Sequence, residues 1–328
     1  MGAGVTIWAD LIHLSVNEWG KDTWRAEDGW VSTNRDTICC DDGVWTRVTD
    51  RLAQAGGNMA LVDVGDAVVC PSHPELAVKG AWSAEKMAAE VKRLKAMGVE
   101  AIPKLNFSTT HDHWLRDYGR MIGTPQYYSV VRDLIRDVCD IFGHPRLFHL
   151  GLDEELMDQI RGIKGIGTFR RGRAYWYDVR FYADCCEKCG ARPWMFCDYI
   201  MDYEEEFLAN CPKSIVQTAW YYWDKFQDEE RSNVWFERMH WKSYEMLEKG
   251  RFDQIPCGST CCTKKKPGYN QFDELVKHVG RVVPKERLLG YLQTSWEYLV
   301  PGAAGEDENL KAIAHLEAAR RNYEGKKD

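Results

Sequence analysis

Carboxyl groups follow directly after an apolar, strand-like run in the middle of the sequence. The residues that end this run are Asp153, Glu154 and Glu155. Acids in such a position either take part in chemistry or cap the next helix and complement its dipole. A second apolar run ends at Trp296 and Glu297, an aromatic residue beside another acid. Two acidic strand ends favour a catalytic site over a pair of helix caps.

Other apolar runs also end in polar or aromatic side chains. Asp198 follows one run, Trp220 and Tyr222 follow the next, and Asn106 with His111 follows an earlier one. The chain has 14 tryptophans, and those in loops either stack on sugar faces or fill small loop cores. The loop tryptophans are Trp19, Trp24, Trp30, Trp45, Trp82, Trp114 and Trp223. Together these residues predict that acidic and aromatic side chains lie at the ends of the strand-like runs.

Cleavage of a glycosidic bond requires such paired carboxyl groups. One acid must be protonated to donate to the leaving oxygen, while an anion supports the positive charge that develops at the anomeric carbon. Asp153 and Glu154 supply two adjacent carboxyl groups for these tasks. The sequence therefore predicts a glycoside hydrolase whose partner is a carbohydrate substrate.

The same residues resemble a known family. His-Leu-Gly-Leu-Asp-Glu at 149–154 resembles the His-x-Gly-Gly-Asp-Glu motif on strand four of family 20 glycoside hydrolases, the β-N-acetylhexosaminidases. Trp296 and Glu297 are similar to that family's Trp-x-Glu region on strand eight. The resemblance implies that Glu154 is the general acid/base. It also implies that Asp153 orients and polarises the 2-acetamido group of the substrate, whose carbonyl oxygen attacks the anomeric carbon.

The resemblance also implies roles around the sugar. Trp220 would wall the pocket for the acetamido methyl group, Trp296 would stack on the sugar, and Glu297 would bind its outer hydroxyls. The candidate substrate-binding residues are Trp220, Trp296, Glu297, Asp198, Tyr222, His111 and Asn106. The chain further resembles uncharacterised bacterial barrel proteins that share a Phe-His-Leu-Gly-x-Asp-Glu-Glu segment.

Two alternatives keep a saccharide as the ligand. In a two-carboxylate glycosidase acting on a sugar without an acetamido group, Glu154 is the acid and Glu297 or Asp198 is the nucleophile or base. The carboxyl groups then lie about 5 Å apart in a retaining enzyme and about 6.5 to 9.5 Å apart in an inverting one. A barrel that binds saccharide without cutting it is the other alternative, and the intact Asp153 and Glu154 pair argues against it.

A metal-dependent sugar isomerase, epimerase or lyase is a third alternative. Its ligands would come from His111, Asp112, His113, Asp153, Glu154, Asp198 and Glu297, which are hard or borderline donors. Barrel hydrolases with a His-x-His pair carry it after strand one, where this chain offers only His13. We therefore predict no metal and no cofactor.

The pattern of apolar runs predicts the fold that positions these residues. Strand-like runs occupy residues 5–14, 58–64, 99–107, 147–152, 193–200, 215–220, 252–256 and 288–294. Helical periodicity occupies residues 83–97, 125–142, 173–189, 234–248, 271–279 and 308–322. Eight nearly all-apolar strands that alternate with helices predict an α/β fold, a (β/α)8 barrel in a single domain over residues 1–328. Long loops at residues 15–45, 66–82, 108–124 and 258–270 are expected to cover the carboxyl ends of the strands, where barrel enzymes hold their active sites.

Composition limits the classes of partner. Fifty acidic and 43 basic residues give a net charge of −7, which disfavours nucleic acid. The longest apolar runs are shorter than the roughly 18 residues of a membrane span. The N-terminal residues lack a basic region followed by an apolar run, so we expect a cytoplasmic protein, or a periplasmic or secreted one if a leader preceded this sequence.

The 12 cysteines are predicted to be thiols. Three adjacent pairs, Cys39–Cys40, Cys185–Cys186 and Cys261–Cys262, have a spacing at which a disulfide is strained. Cys186 and Cys189 have zinc-like spacing, but no second such pair follows at a zinc-ribbon distance.

Overall fold

Eight parallel strands form a closed ring. The computed structural model describes residues 5–15, 17–18, 35–155, 169–226, 234–263, 266, 268–303 and 305–325. The strands are β1 (Ile7–His13), β2 (Met59–Asp63), β3 (Glu100–Lys104), β4 (Leu147–His149), β5 (Arg192–Phe196), β6 (Val216–Thr218), β7 (Cys257–Ser259) and β8 (Gly290–Tyr298). They pair in the order β6-β5-β4-β3-β2-β1-β8-β7. Isolated parallel bridges, Gln217 to Gln254 and Trp220 to Cys257, join the two remaining edges. The predicted (β/α)8 barrel is confirmed.

Helices surround the ring. They are α1 (Asp42–Gln54), α2 (Ala84–Ala96), α3 (Pro125–Ile141), α4 (Arg173–Lys188), α5 (Tyr199–Asp202), α6 (Glu204–Asn210), α7 (Trp235–Lys249), α8 (Gln271–Val282) and α9 (Glu306–Glu324). Side chains of Asp41, Ser83, Thr124 and Asn270 accept a backbone N–H at the start of α1, α2, α3 and α8. Each such cap contributes about 1 kcal/mol to helix stability. None of the helices in the described residues has the length and apolar character needed to cross a bilayer.

Three sequence predictions of element position are wrong. The fifth strand ends at Phe196 instead of 200, and residues 199–200 belong to α5. The seventh strand lies at Cys257–Ser259 instead of 252–256, because Pro256 has no N–H to donate to a ladder. The predicted segment runs beside β6 through single hydrogen bonds, such as Ile255 N–H to Gln217 O at 2.9 Å. Helix α1 begins at Asp42, inside a segment predicted to be loop, where Asp41 caps it.

The long loops lie at the carboxyl ends of the strands and carry short 3-10 turns at Gly65–Ala67, Pro74–Leu76, His113–Met121 and Cys261–Thr263. Trp45 and Trp82 pack edge to face at 5.0 Å, and Trp114 is buried with its Nε1 bonded to Asn106 O. These three rings, Trp45 from α1 among them, are buried in the core cluster outside the barrel interior, so they are not available to stack on a sugar. Trp19, Trp24 and Trp30 lie outside the described residues.

Alternation along the strands separates two cores. Ile7, Ala9 and Leu11 belong to the cluster that fills the barrel, whereas Trp8 and Ile12 pack against the helices. Since side chains on one face recur every second residue, the residue after Leu11 on the inner face is His13. The same alternation brings Asp63 of β2, Lys104 of β3 and His149 of β4 to the top of the barrel interior.

Candidate active site

A sharp turn after β4 positions the two predicted catalytic acids. Gly151, Leu152 and Glu154 have positive φ angles of 69°, 67° and 59°. A Cβ atom on Gly151 would lie 1.9 Å from Asn106 Oδ1, so only glycine fits at that position. Left-handed backbone costs a residue with a side chain about 1 kcal/mol or more. Two such residues in one turn indicate a conformation that is held by surrounding contacts.

Asn106, which follows β3, holds this turn. Its Nδ2 donates to Asp153 Oδ1 at 2.8 Å, and its Oδ1 accepts from Leu152 N–H at 3.2 Å. Ser108 Oγ donates to the backbone oxygen of Asp153 at 2.5 Å. The second carboxylate oxygen of Asp153, Oδ2, lies 3.9 Å from His111 Nε2. Asp153 is buried, and one of its carboxylate oxygens accepts a hydrogen bond from the fixed amide of Asn106.

Glu154 lies beside Asp153 in the same buried site. Its Oε2 is 3.5 Å from His111 Nε2, and 18% of its side chain is exposed, which leaves it open to a ligand. Burial, followed by the charges of Asp153 and Asp198, raises the pKa of Glu154 well above its ordinary value. Burial also lowers the pKa of His111. The arrangement thus favours a protonated Glu154, the form that donates a proton.

Asp198 anchors Glu154 from the end of β5. Its Oδ2 accepts the backbone N–H of Glu154 at 2.9 Å, and Trp220 Nε1 lies 2.9 and 3.1 Å from its two oxygens. Asp198 is completely buried. Burial and the charge of Asp153 raise its pKa to about 8, although the two N–H donors act in the opposite direction.

Aromatic rings continue the site beyond Asp198. Trp220 stacks on Tyr222 with ring centroids 4.7 Å apart and on Trp223 at 6.0 Å. Tyr222 lies 6.3 Å from Trp296, which lies 4.9 Å from the His13 ring. Trp296 has a φ of 59° where β8 shifts register against β1, and such bulges re-aim side chains. The rings form one side of the candidate site.

The structure joins most of the predicted site through contacts. The chain of neighbours runs through Asn106, Asp153, His111, Glu154, Asp198, Trp220, Tyr222 and Trp296. Glu297 lies one residue past Trp296, half-buried, with its backbone N–H bonded to Ser295 Oγ at 3.2 Å. The substrate-binding role of Glu297 stays a prediction.

The third acid of the strand-four motif has structural partners. Glu155 Oε1 accepts from Arg170 at 2.5 Å and from Thr109 N–H at 2.8 Å. Arg170 also donates to Asp178 at 3.1 Å. Glu155 is buried, so it ties the loop after β4 to helix α4.

A buried charged cluster at the top of the barrel was not recognised from the sequence. Lys104 Nζ donates to Glu18 Oε1 at 2.6 Å and to Asp63 Oδ2 at 2.7 Å. His13 Nδ1 lies 3.1 Å from Asp63 Oδ2. Burial by itself lowers the pKa of Lys104, but Asp63 and Glu18 raise it above its ordinary value. The available signal was the alternation of β2 and β3, which puts Asp63 and Lys104 on the inward-facing side.

The same cluster bears on the metal alternative. His13, Glu18 and Asp63 are the one group in the described residues whose ligand atoms, within 4.8 Å of one another, meet the spacing of a metal site. The ammonium group of Lys104 already bonds both carboxylates, so the group has a resident positive charge. This group contains none of the candidate ligands that the metal alternative names.

His149 is a buried core residue. Its Nδ1 accepts the N–H of Gly151 at 3.0 Å, and its ring packs against Trp194 at 4.8 Å and Phe196 at 4.7 Å. Burial, then the charge of Lys104, lowers its pKa well below the ordinary value.

Comparison with solved structures shows where this fold recurs. No protein-family model matches the chain, and no curated protein sequence does. The chain is similar to the family 20 exo-β-N-acetylglucosaminidase of Vibrio harveyi, solved with N-acetylglucosamine, with a TM-score of 0.61 over 96% of this chain at 11% identity. It is similar to the β-N-acetylhexosaminidase of Bacteroides fragilis, with a TM-score of 0.62 over 96% of this chain at 12% identity. It is also similar to the family 20 β-N-acetylhexosaminidase of Streptomyces coelicolor, with a TM-score of 0.60 over 95% of this chain at 12% identity.

The chain spans 54%, 65% and 64% of the length of these three structures. At such identities the similarity establishes the fold. The barrel of this chain is therefore of the kind found in family 20 β-N-acetylhexosaminidases.

Proposed function

We propose that this protein is a glycoside hydrolase that cleaves the bond to a 2-acetamido sugar. The observation that carries the proposal is the placement of Glu154, whose largely buried carboxyl group lies 3.5 Å from His111 and keeps 18% of its side chain exposed. Burial and the charges of Asp153 and Asp198 raise its pKa well above the ordinary value. A general acid must hold its proton at the working pH and release it in the transition state. The barrel shared with β-N-acetylhexosaminidases supports the same reaction class.

In the first step, protonated Glu154 donates to the leaving oxygen. The carbonyl oxygen of the substrate's acetamido group forms a bond to the anomeric carbon as the glycosidic bond breaks. In the second step, the Glu154 carboxylate removes a proton from water, and the water oxygen adds to the anomeric carbon. The acetamido group is then restored and Glu154 again holds a proton.

Asp153 is suited to support the acetamido group during both steps. Its Oδ1 is held by Asn106 Nδ2 at 2.8 Å, which fixes the carboxylate plane. The anion can accept the acetamido N–H and stabilise the positive charge that spreads onto the group as its oxygen attacks. A carboxylate fixed in advance needs no reorganisation at the moment of reaction.

Asp198 is less suited to act as a second catalytic carboxylate. Both of its oxygens accept hydrogen bonds from Trp220 or Glu154, and the residue is completely buried. The contacts favour a positioning role and weaken the two-carboxylate alternative that uses Asp198.

The test is an assay of the purified chain on a panel of chromogenic substrates, with and without a chelator. The panel pairs N-acetylglucosaminides and N-acetylgalactosaminides with the matching plain hexosides. We expect cleavage of acetamido substrates alone, unaffected by chelator. Cleavage of plain hexosides would favour a two-carboxylate mechanism, loss of activity with chelator would favour a metal enzyme, and an inactive panel would contradict the proposal.

A further inference from the structure

A pair of adjacent thiols lies at the same end of the barrel as the candidate active site. Strand β7 ends at Ser259, and the 3-10 turn Cys261–Thr263 follows it directly. Ser259 Oγ accepts the N–H of Cys261 at 3.1 Å, which fixes the start of this turn. Within it, the sulfur atoms of Cys261 and Cys262 are 3.4 Å apart. Two sulfurs in contact need only a small movement to reach a bond length of about 2 Å.

The two thiols differ in what surrounds them. Cys262 is exposed, whereas Cys261 is half-buried. Cys261 packs against the apolar cluster that contains Trp220 and Tyr222, as does Trp296. Cys262 is therefore the more accessible residue of the pair, and Cys261 packs against a cluster that contains two rings of the candidate site.

The other adjacent pairs lack this combination. Cys185 and Cys186 are buried in α4, where neighbouring residues point in different directions. Burial, the largest cause, raises the pKa of the Cys40 thiol to about 12, and Cys40 Sγ contacts the backbone oxygen of Asp41 at 3.8 Å. A thiol with a raised pKa is a poor nucleophile in exchange reactions.

We propose that Cys261 and Cys262 form a thiol–disulfide modification site that changes the aromatic side of the pocket. The co-reactant is a low-molecular-weight disulfide. The thiolate of Cys262 attacks one of its sulfurs, forms a mixed disulfide and releases one small thiol. The thiolate of Cys261 then attacks Cys262 Sγ, forms the Cys261–Cys262 bond and releases the second small thiol. The pair loses two electrons and two protons, which the two released thiols carry.

Strain makes this modification reversible. A disulfide between adjacent residues departs from preferred geometry, so small thiols reduce it readily. Closing the 3.4 Å separation to a bond of about 2 Å must move at least one of the two sulfurs, and we expect movement of Cys261 Sγ to alter its packing against the apolar cluster. The rings of Trp220 and Trp296 then report the oxidation state of the pair.

The experiment treats the full native chain with oxidised glutathione and maps the products by mass spectrometry. We expect the peptide containing both cysteines to lose two hydrogen atoms, and dithiothreitol to restore them. Cys261→Ser should retain a glutathione adduct on Cys262, because its resolving thiol is missing. A stable adduct in the wild type, or the absence of the two-hydrogen loss from this peptide, would overturn the proposal.

Tryptophan emission tests the connection to the pocket. Emission should change on oxidation of the wild type and of a Cys39→Ser/Cys40→Ser control, but not of Cys261→Ser/Cys262→Ser. Unchanged wild-type emission despite the mass change would refute the effect on the pocket. If the double variant does not fold, the emission of the wild type and of the Cys39→Ser/Cys40→Ser control, before and after oxidation, still tests the effect on the pocket. Neither readout depends on the proposed hydrolase activity.

Discussion

The backbone N–H of Glu154 donates to Oδ2 of Asp198 across 2.9 Å, from the turn after β4 to the end of β5. This hydrogen bond holds Glu154 in its left-handed conformation, with φ at 59°. Trp220 Nε1 fixes Asp198 from the next strand end. The ends of three consecutive strands thereby position the proposed proton donor. Burial, then the charges of Asp153 and Asp198, raise the pKa of Glu154, as a proton donor requires.

Removing the proposed donor is expected to abolish most of the activity. Glu154→Gln keeps the shape of the side chain but cannot transfer a proton, so we expect turnover of an acetamido substrate to fall about 10²- to 10⁴-fold. Steady-state kinetics give the turnover, and thermal unfolding checks the fold. The control is Glu205→Gln on the exposed side of α6. Equal turnover of the two variants would remove Glu154 from the mechanism.

Changing Asp153 should separate two substrate classes. Asp153→Asn removes the anion that supports the attacking acetamido group, so acetamido substrates should lose far more of kcat/KM than any plain glycoside that the enzyme cleaves. The ratio of the two kcat/KM values is the measurement. Equal losses on both classes would argue against participation of the acetamido group.

Asp198 should contribute to the alkaline limit of activity, after burial and the charge of Asp153. Glu154 acts as an acid only while protonated, so kcat/KM falls as pH rises through its pKa. Asp198 is one of the groups that raise this pKa, so Asp198→Asn should move the alkaline limb to lower pH. A pH profile measures the shift, with the exposed residue change Asp184→Asn as control. A folded variant with an unmoved limb would contradict this role.

Asp198 should also make stability depend on pH. Its pKa is raised from 3.8 to about 8 in the folded chain, so the folded state binds more protons than the unfolded state between those values. Its contribution to the free energy of unfolding is therefore present below about pH 4 and is lost as pH rises through about 8. Urea unfolding at several pH values should show a decline that is smaller in Asp198→Asn. If the free energy of unfolding declined equally with pH in both proteins, Asp198 would not be the source of the pH dependence.

Lys104 should be essential for stability because it compensates two buried acids. Lys104→Met retains most of the apolar volume but leaves Asp63 and Glu18 without their cation, and breaking a buried pair costs about 3 to 5 kcal/mol. The control, Lys188→Met, removes an exposed ion pair with Asp184, which water screens, so its effect on the free energy of unfolding should be much smaller. Urea unfolding compares the two. Similar small losses would show that the buried cluster tolerates the missing charge.

Local patterns were sufficient for the elements and for several of the acids. Strand and helix periodicity depends on neighbouring residues, so most barrel strands and α2, α3, α4, α7, α8 and α9 could be predicted closely. The position of β7 could not be predicted. The run that ends at Pro256 has the composition of a strand, but it pairs only through isolated bridges. The functional candidates Asp153 and Glu154 were visible because they end an apolar run.

The sequence by itself determined that eight alternating units would bring polar strand ends to one face of a barrel. Only the tertiary structure decided which of these residues meet. Glu155 is paired with Arg170, whereas Glu154 contacts His111 and is held by Asp198. Such distances depend on the register and closure of the sheet, and a shift of one residue would turn a side chain to the opposite face. The pairing of Lys104 with Glu18 across 86 positions is decided in the same way.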